Sequence, residues 1–198
     1  PGMLRVASDC GCTPNLAYHA IPAISIPDAR RLGPGAIVRL YGDIVSGANG
    51  SSCFVQQADR AAGIRVSSSV AIPAPGPVAL IGLVSLSNGE LVVNADILQA
   101  AGAAHSAVPL RLRASALGGA AAGQQPAVME MLPGAADPVA ATGLNTMGLF
   151  ARIVGWVRYV GSDFFYLDDG AGCKDGSGHP GVRVVCAGPA APKPALGT

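Results

Sequence analysis

The chain repeats itself, and the repeat narrows what it can fold into more than any other feature. Ile37-Val38-Arg39-Leu40-Tyr41-Gly42-Asp43-Ile44 returns as Phe150-Ala151-Arg152-Ile153-Val154-Gly155-Trp156-Val157, with the arginine, the apolar pair and the glycine in register. Cys53-Phe54-Val55-Gln56-Gln57 is answered by Phe165-Tyr166-Leu167-Asp168-Asp169, and Gly63-Ile64-Arg65-Val66 by Gly181-Val182-Arg183-Val184. Three matched segments in the same order describe a duplicated supersecondary unit. Apolar and polar residues alternate within them, which is the period of strands.

The first copy reads as a complete small barrel. Ser25 is a good N-cap, Pro27 suits a first turn and Gly33 stops the run, so a helix of one to two turns precedes the strands. A long strand follows from Gly35, with Gly42 in its middle marking a bulge or bend. Asn49-Gly50 turns the chain into a strand at Cys53–Gln57; a third strand covers Gly63–Val66. Beyond the proline-rich Pro73–Pro77 connection, strands are expected at Val78–Ser85 and Leu91–Leu98, joined at Asn88-Gly89. Five strands, the first long and bent, are what an OB-type barrel requires. The expected class is all-β, with two OB-like barrels in tandem: an arm over 1–24, a first barrel over 25–99, an Ala/Gly-rich linker or arm over 100–148, and a second barrel over 149–198. Within the linker, Val108–Arg113 reads as a further strand or an extended tie.

Composition excludes several functions. The 198 residues carry a net charge of +1, and the arginines are scattered, which leaves no basic footprint for a nucleic-acid backbone. No apolar run reaches the length of a membrane span. A mean hydropathy of +0.42 points instead to apolar surface covered by a partner. No Gly-x-Ser-x-Gly elbow is present, and His19, His105 and His179 fall in probable loops, so no catalytic set and no cofactor are expected. Asp168, Asp169 and Asp175 on a glycine-rich loop are the nearest approach to a calcium site, but they lack EF-hand spacing, and turn chemistry accounts for them without a metal.

Five cysteines, Cys10, Cys12, Cys53, Cys173 and Cys186, suit an oxidising compartment, and the odd count leaves one unpaired or paired between chains. Cys10-Gly11-Cys12 has the wrong spacing for a zinc knuckle. Cys173 and Cys186 bracket the inserted loop of the second copy and are expected to bridge, leaving Cys53 for Cys10 or Cys12. A start at Pro1 reads as a processed terminus, with a secretory signal removed.

The pattern running from the bent strand to the Phe165-Tyr166-Leu167-Asp168-Asp169-Gly170 and Asp175-Gly176-Ser177-Gly178 segments resembles tandem OB-fold-like modules of large secreted bacterial proteins. The resemblance covers about residues 25 to 186 and implies a secreted or cell-surface protein without implying an activity.

Few residues follow Val184, several of them Pro or Gly, so the second barrel is expected to lack its last strands. An unpaired strand edge invites strand addition. The leading functional expectation is therefore a structural subunit of an extracellular filament, a head-to-tail homopolymer. Met3, Leu4 and Val6 of one subunit would line Val184 and Val185 of the next. An adhesion or carbohydrate-binding module is the alternative, with single-stranded nucleic-acid binding a lesser one.

Overall fold

The computed structural model describes residues 21–87, 89–118, 129–130, 139–140, 145–186 and 193–198. The elements in chain order are α1 (Ile26–Leu32), β1 (Ile37–Asn49), β2 (Ser52–Gln56), β3 (Gly63–Ser68), β4 (Pro77–Ser87), β5 (Glu90–Ala100), β6 (Leu110–Arg111), β7 (Met129–Glu130), β8 (Val139–Ala140), β9 (Ala151–Arg152), β10 (Trp156–Val160), β11 (Phe164–Asp168), β12 (Cys173–Lys174) and β13 (Val182–Val185), with a 3-10 turn at Ala114–Ala116 after β6. No helix among the described residues is long and apolar enough to cross a membrane.

The protein is mostly β, and its first half closes into a five-stranded barrel in the order β1-β2-β3-β5-β4. Closure depends on β1 serving two neighbours: its first half pairs with β4 and its second half with β2. Gly42 makes this possible. Its φ of 82° is open to glycine, and the β1–β4 register shifts there, between Tyr41 and Asp43. A parallel pairing of β3 with β5 completes the ring. Alternation along each strand sends Val38, Leu40, Val55, Ile64, Val66, Leu80 and Val93 into one buried core. Each such side chain contributes about 1.5 to 3 kcal/mol when fully buried. Ser25 caps α1 by accepting from Asp28 N, and Ile26 and Ala29 are buried in the barrel core.

The second half holds a smaller sheet whose pairing matches part of the barrel. β10, β11 and β13 form a three-stranded antiparallel sheet in which Tyr166 pairs Arg183, as Phe54 pairs Arg65 in the barrel. Both copies carry a bulge at the same place: between Val45 and Gly47 in β1, and between Val157 and Tyr159 in β10. The entry to the sheet is duplicated too. Ile24 N donates to Arg39 O and Leu112 N to Arg152 O. Ser25 and Arg113 then hold the same extended backbone before a buried first helical residue, Ile26 or Ala114. Leu110–Arg111 thus runs parallel to Ala151–Arg152 as part of the second sheet's entry.

The register aligns Trp156 with Ile44 and Val157 with Val45, one residue away from the sequence match, which set Val157 against Ile44. The expected continuous strand over Phe150–Val157 is broken between β9 and β10. The halves meet where Gly148 lies against Gly63, so closely that a Cβ on either would strike the other's backbone. Arg30 donates to Gly63 O and Met147 O, and Phe150 N donates to the buried Gln56 Oε1 at 2.8 Å.

One disulfide expectation is corrected. Gly181 N donates to Cys173 O, which fixes Cys173 at the start of β13, whereas Cys186 follows its far end, opposite Asp163. Five extended residues span about 15 Å, beyond the roughly 7 Å that a disulfide tolerates. The Cys173–Cys186 bridge is not made, and Cys186 is a free, half-buried thiol. Cys53 is also a free thiol and is buried in the barrel core; Cys10 and Cys12, its expected partners, lie outside the described residues.

Candidate functional site

The outer face of the β10-β11-β13 sheet gathers four aromatic side chains, Trp156, Tyr159, Phe164 and Tyr166. Leu167 and Val182 point inward against Ala114 and Cys173, so Phe164, Tyr166 and Asp168 point outward, with Arg183 and Val185 beside them. The bulge then changes the phase of β10. Arg158 is the extra residue, so Trp156 opposite Asp168 and Tyr159 opposite Tyr166 reach the same face although three apart in sequence.

The rings form one connected cluster. Tyr159 lies 5.9 Å from Phe164 in a stacked arrangement and 6.3 Å from Tyr166 edge-on. His179, from the loop between β12 and β13, stacks on Tyr159 at 3.8 Å and tilts over Tyr166 at 5.2 Å. The Arg183 guanidinium sits 4.1 Å above the Phe164 ring. Tyr166 is covered, but Tyr159 keeps 36% of its surface in solvent and Trp156 58%.

The Asp175 carboxylate anchors the loop, accepting from the Tyr166 hydroxyl at 2.5 Å and from Ser177 N at 3.0 Å. Burial and the bond to Asp175 raise the Tyr166 hydroxyl above its usual range. For Asp175, burial acts to raise the carboxyl, but the hydrogen bonds from Ser177 and Tyr166 outweigh it and hold it below its usual range.

Charge on this face is largely cancelled. Arg158 Nε meets Asp168 Oδ2 at 3.2 Å, whereas Arg183, over its ring, has no carboxylate partner among the described residues.

The first copy provides an internal control. Where the second has Tyr159 and Phe164, the first has Gly47 and Ser52, and its Arg65 is bound to Glu90 at 2.9 Å. The fold does not require the cluster. Moreover, the Ile44–Gln56 pair, which matches Trp156–Asp168, is covered by the backbone at Phe150, whereas Trp156 stays open.

The candidate calcium ligands do not converge. Asp168 serves Arg158 and Gly170 N, Asp169 accepts from Ala114 N and Ala171 N, and Asp175 serves Tyr166 and Ser177. Among the described residues no group of three potential ligands could hold a metal ion. His105 is exposed near Ala103 O, and His19 lies outside the described residues, as do Met3, Leu4 and Val6. Val184 is half-buried on the inner side and Val185 is 64% exposed on the outer side.

The aromatic face is the feature the sequence reading missed. Tyr41, Phe54, Trp156, Phe165 and Tyr166 are expected from parity to serve the core or strand neighbours. In the fold Tyr41 and Trp156 are more than half exposed and Phe54 is 38% exposed. The signal that could have found the face was the inserted loop, since its His179 has no counterpart in the first copy. Compared with protein-family models and with curated proteins, the chain matches none.

Proposed function

We propose that this chain is a secreted tandem of OB-type modules that binds an extended, uncharged oligosaccharide on the aromatic face of its second module. The carrying observation is the cluster of Tyr159, Phe164 and His179, flanked by the exposed Trp156. Sugar rings stack on such faces through their C–H surfaces, and the flanking Asp and Arg groups supply hydrogen bonds. The order β1-β2-β3-β5-β4 with its parallel closure supports the OB reading of the first module, and the shared bulge and entry extend it to the second. In OB-type barrels the face of strands two and three takes oligosaccharides or oligonucleotides. The near-neutral face favours the sugar, because a phosphate backbone needs unpaired cations along its track. The extracellular setting rests on the resemblance to secreted bacterial modules.

Affinity electrophoresis through gels containing cellulose derivatives, xylan, mannan or soluble chitin tests the reading. Retardation by one of them, lost in Tyr159→Ala, is expected. Equal mobility in all of these gels would overturn it.

A second reading, strand complementation into a filament, is favoured by β13. β3 pairs with β5, but β13, in the equivalent place, has a strand neighbour on one side only among the described residues. In that reading Leu4 and Val6 of one copy line Val184 and Val185 of the next.

A further inference from the structure

We propose that the cleft between β6, β9 and the Asp169–Ala171 turn is an oxyanion site for a ligand bearing phosphate or sulfate groups. The cleft has a volume of about 610 Å³ and is lined by Arg111, Arg113 and Arg152, with Leu112, Val154 and Asp169. Arg111 and Arg152 are direct partners across the parallel β6–β9 pair, and Arg113 follows Arg111 on the same side. Like charges placed side by side in this way destabilise a sheet. An arginine cannot relieve the repulsion by losing its proton.

None of the three guanidiniums has a carboxylate partner among the described residues. Asp169 is the one acid in the lining; its oxygens accept from Ala114 N at 2.7 Å and from Ala171 N at 3.0 Å, and no guanidinium is paired with it. Three cations therefore face one engaged carboxylate. Planar guanidinium forks match the oxygens of phosphate and sulfate in geometry and charge.

The first copy again shows that the fold does not demand this. At the places of Arg111 and Arg113 it has Ala23 and Ser25, with the same backbone pairing and the same extended cap. Only Arg39 matches, in the place of Arg152, and it lies 5.7 Å over Tyr41. Two arginines have thus been added where the architecture is content with small residues, and a bound oxyanion is what their added repulsion would offset.

The test uses the full chain and three probes in 150 mM NaCl: inorganic phosphate, pyrophosphate and a sulfated disaccharide. Isothermal titration and thermal melting are expected to show saturable binding of at least one probe. That binding should weaken at least tenfold in Arg111→Ala and in Arg152→Ala, and stay unchanged in Arg39→Ala. Binding of pyrophosphate alone points to a phosphate source, and binding of the sulfated sugar alone to a sulfate source. Without probe, at 10 mM salt, Arg111→Ala should melt at or above the parent temperature. No saturable binding by any probe, or equal binding by the variants, overturns the proposal. A fall of several degrees in Arg111→Ala without probe would do so too, by making the arginine a structural member of the sheet.

Discussion

Asp43 sits at the bend of β1, only 7% exposed, and its carboxyl is pushed up to about 6, first by burial and then by the nearby Asp59. A raised acid binds its proton more tightly folded than unfolded, so its effect runs opposite to that of a salt-bridged carboxylate. The barrel is least burdened near pH 4, loses stability as pH climbs from there through 6, and carries the full cost above it. Asp43→Asn should therefore stabilise by roughly 1 to 2 kcal/mol at pH 7.5, allowing for partial water access, and by almost nothing at pH 4. Melting curves of both proteins at the two pH values check this, and an equal gain at both would assign the effect to packing. Cys53 gives a second residue-scale prediction. Burial raises its thiol to about 11, so it is both shielded and almost wholly protonated at neutral pH. Iodoacetamide should label Cys186 in the native protein and leave Cys53 untouched until denaturant is added, as peptide mass mapping would show.

At the scale of the element, the Tyr166 hydroxyl ties down the loop between β12 and β13, beside the stacked His179 and the Lys174–Pro180 bridge. Tyr166→Phe removes the bond to Asp175 and keeps the ring in the cluster. The expected cost is about 1 to 2 kcal/mol for a hydrogen bond to a charged group. Hydrogen exchange should quicken at Ser177 to His179 and remain unchanged in β1 to β5; uniform quickening would mean that Tyr166 supports the fold as a whole. This loop and its sheet also mark where the sequence stops being legible. The barrel strands could be read because period-two alternation, Gly42 and the Asn-Gly turns are local signals. The single extra residue at Arg158 is not, and it reverses the parity of everything after it on β10, so Tyr159 emerges beside Trp156. The β6 entry escaped firm assignment because two residues are too short to show a period and their partner lies about forty residues on. Cys173 and Cys186 looked close because of their small sequence separation, but an extended strand between them keeps them apart.

For the whole molecule, the two matched sheets carry two different surfaces. The first copy covers its equivalent patch with the 147–150 segment and a salt bridge, whereas the second presents rings there and open arginines in the separate β6–β9 cleft. Polymerisation and glycan binding make different predictions here. If β13 takes a strand from a neighbour, a variant with Leu4→Asp and Val6→Asp should lose filaments in negative-stain images while its barrel still melts cooperatively; filaments of normal length would exclude that donor. The aromatic-face account is tested most directly by Trp156, the chain's single tryptophan, which lies on the proposed binding face. Its emission should be followed while cello-, xylo-, manno- and chito-hexaose are titrated into the intact protein, with an oligothymidylate as comparison. The account predicts a saturable blue shift with one of the sugars, abolished by Tyr159→Ala and absent with the oligonucleotide. An emission spectrum that none of the sugars moves, or that only the oligonucleotide moves, would contradict it.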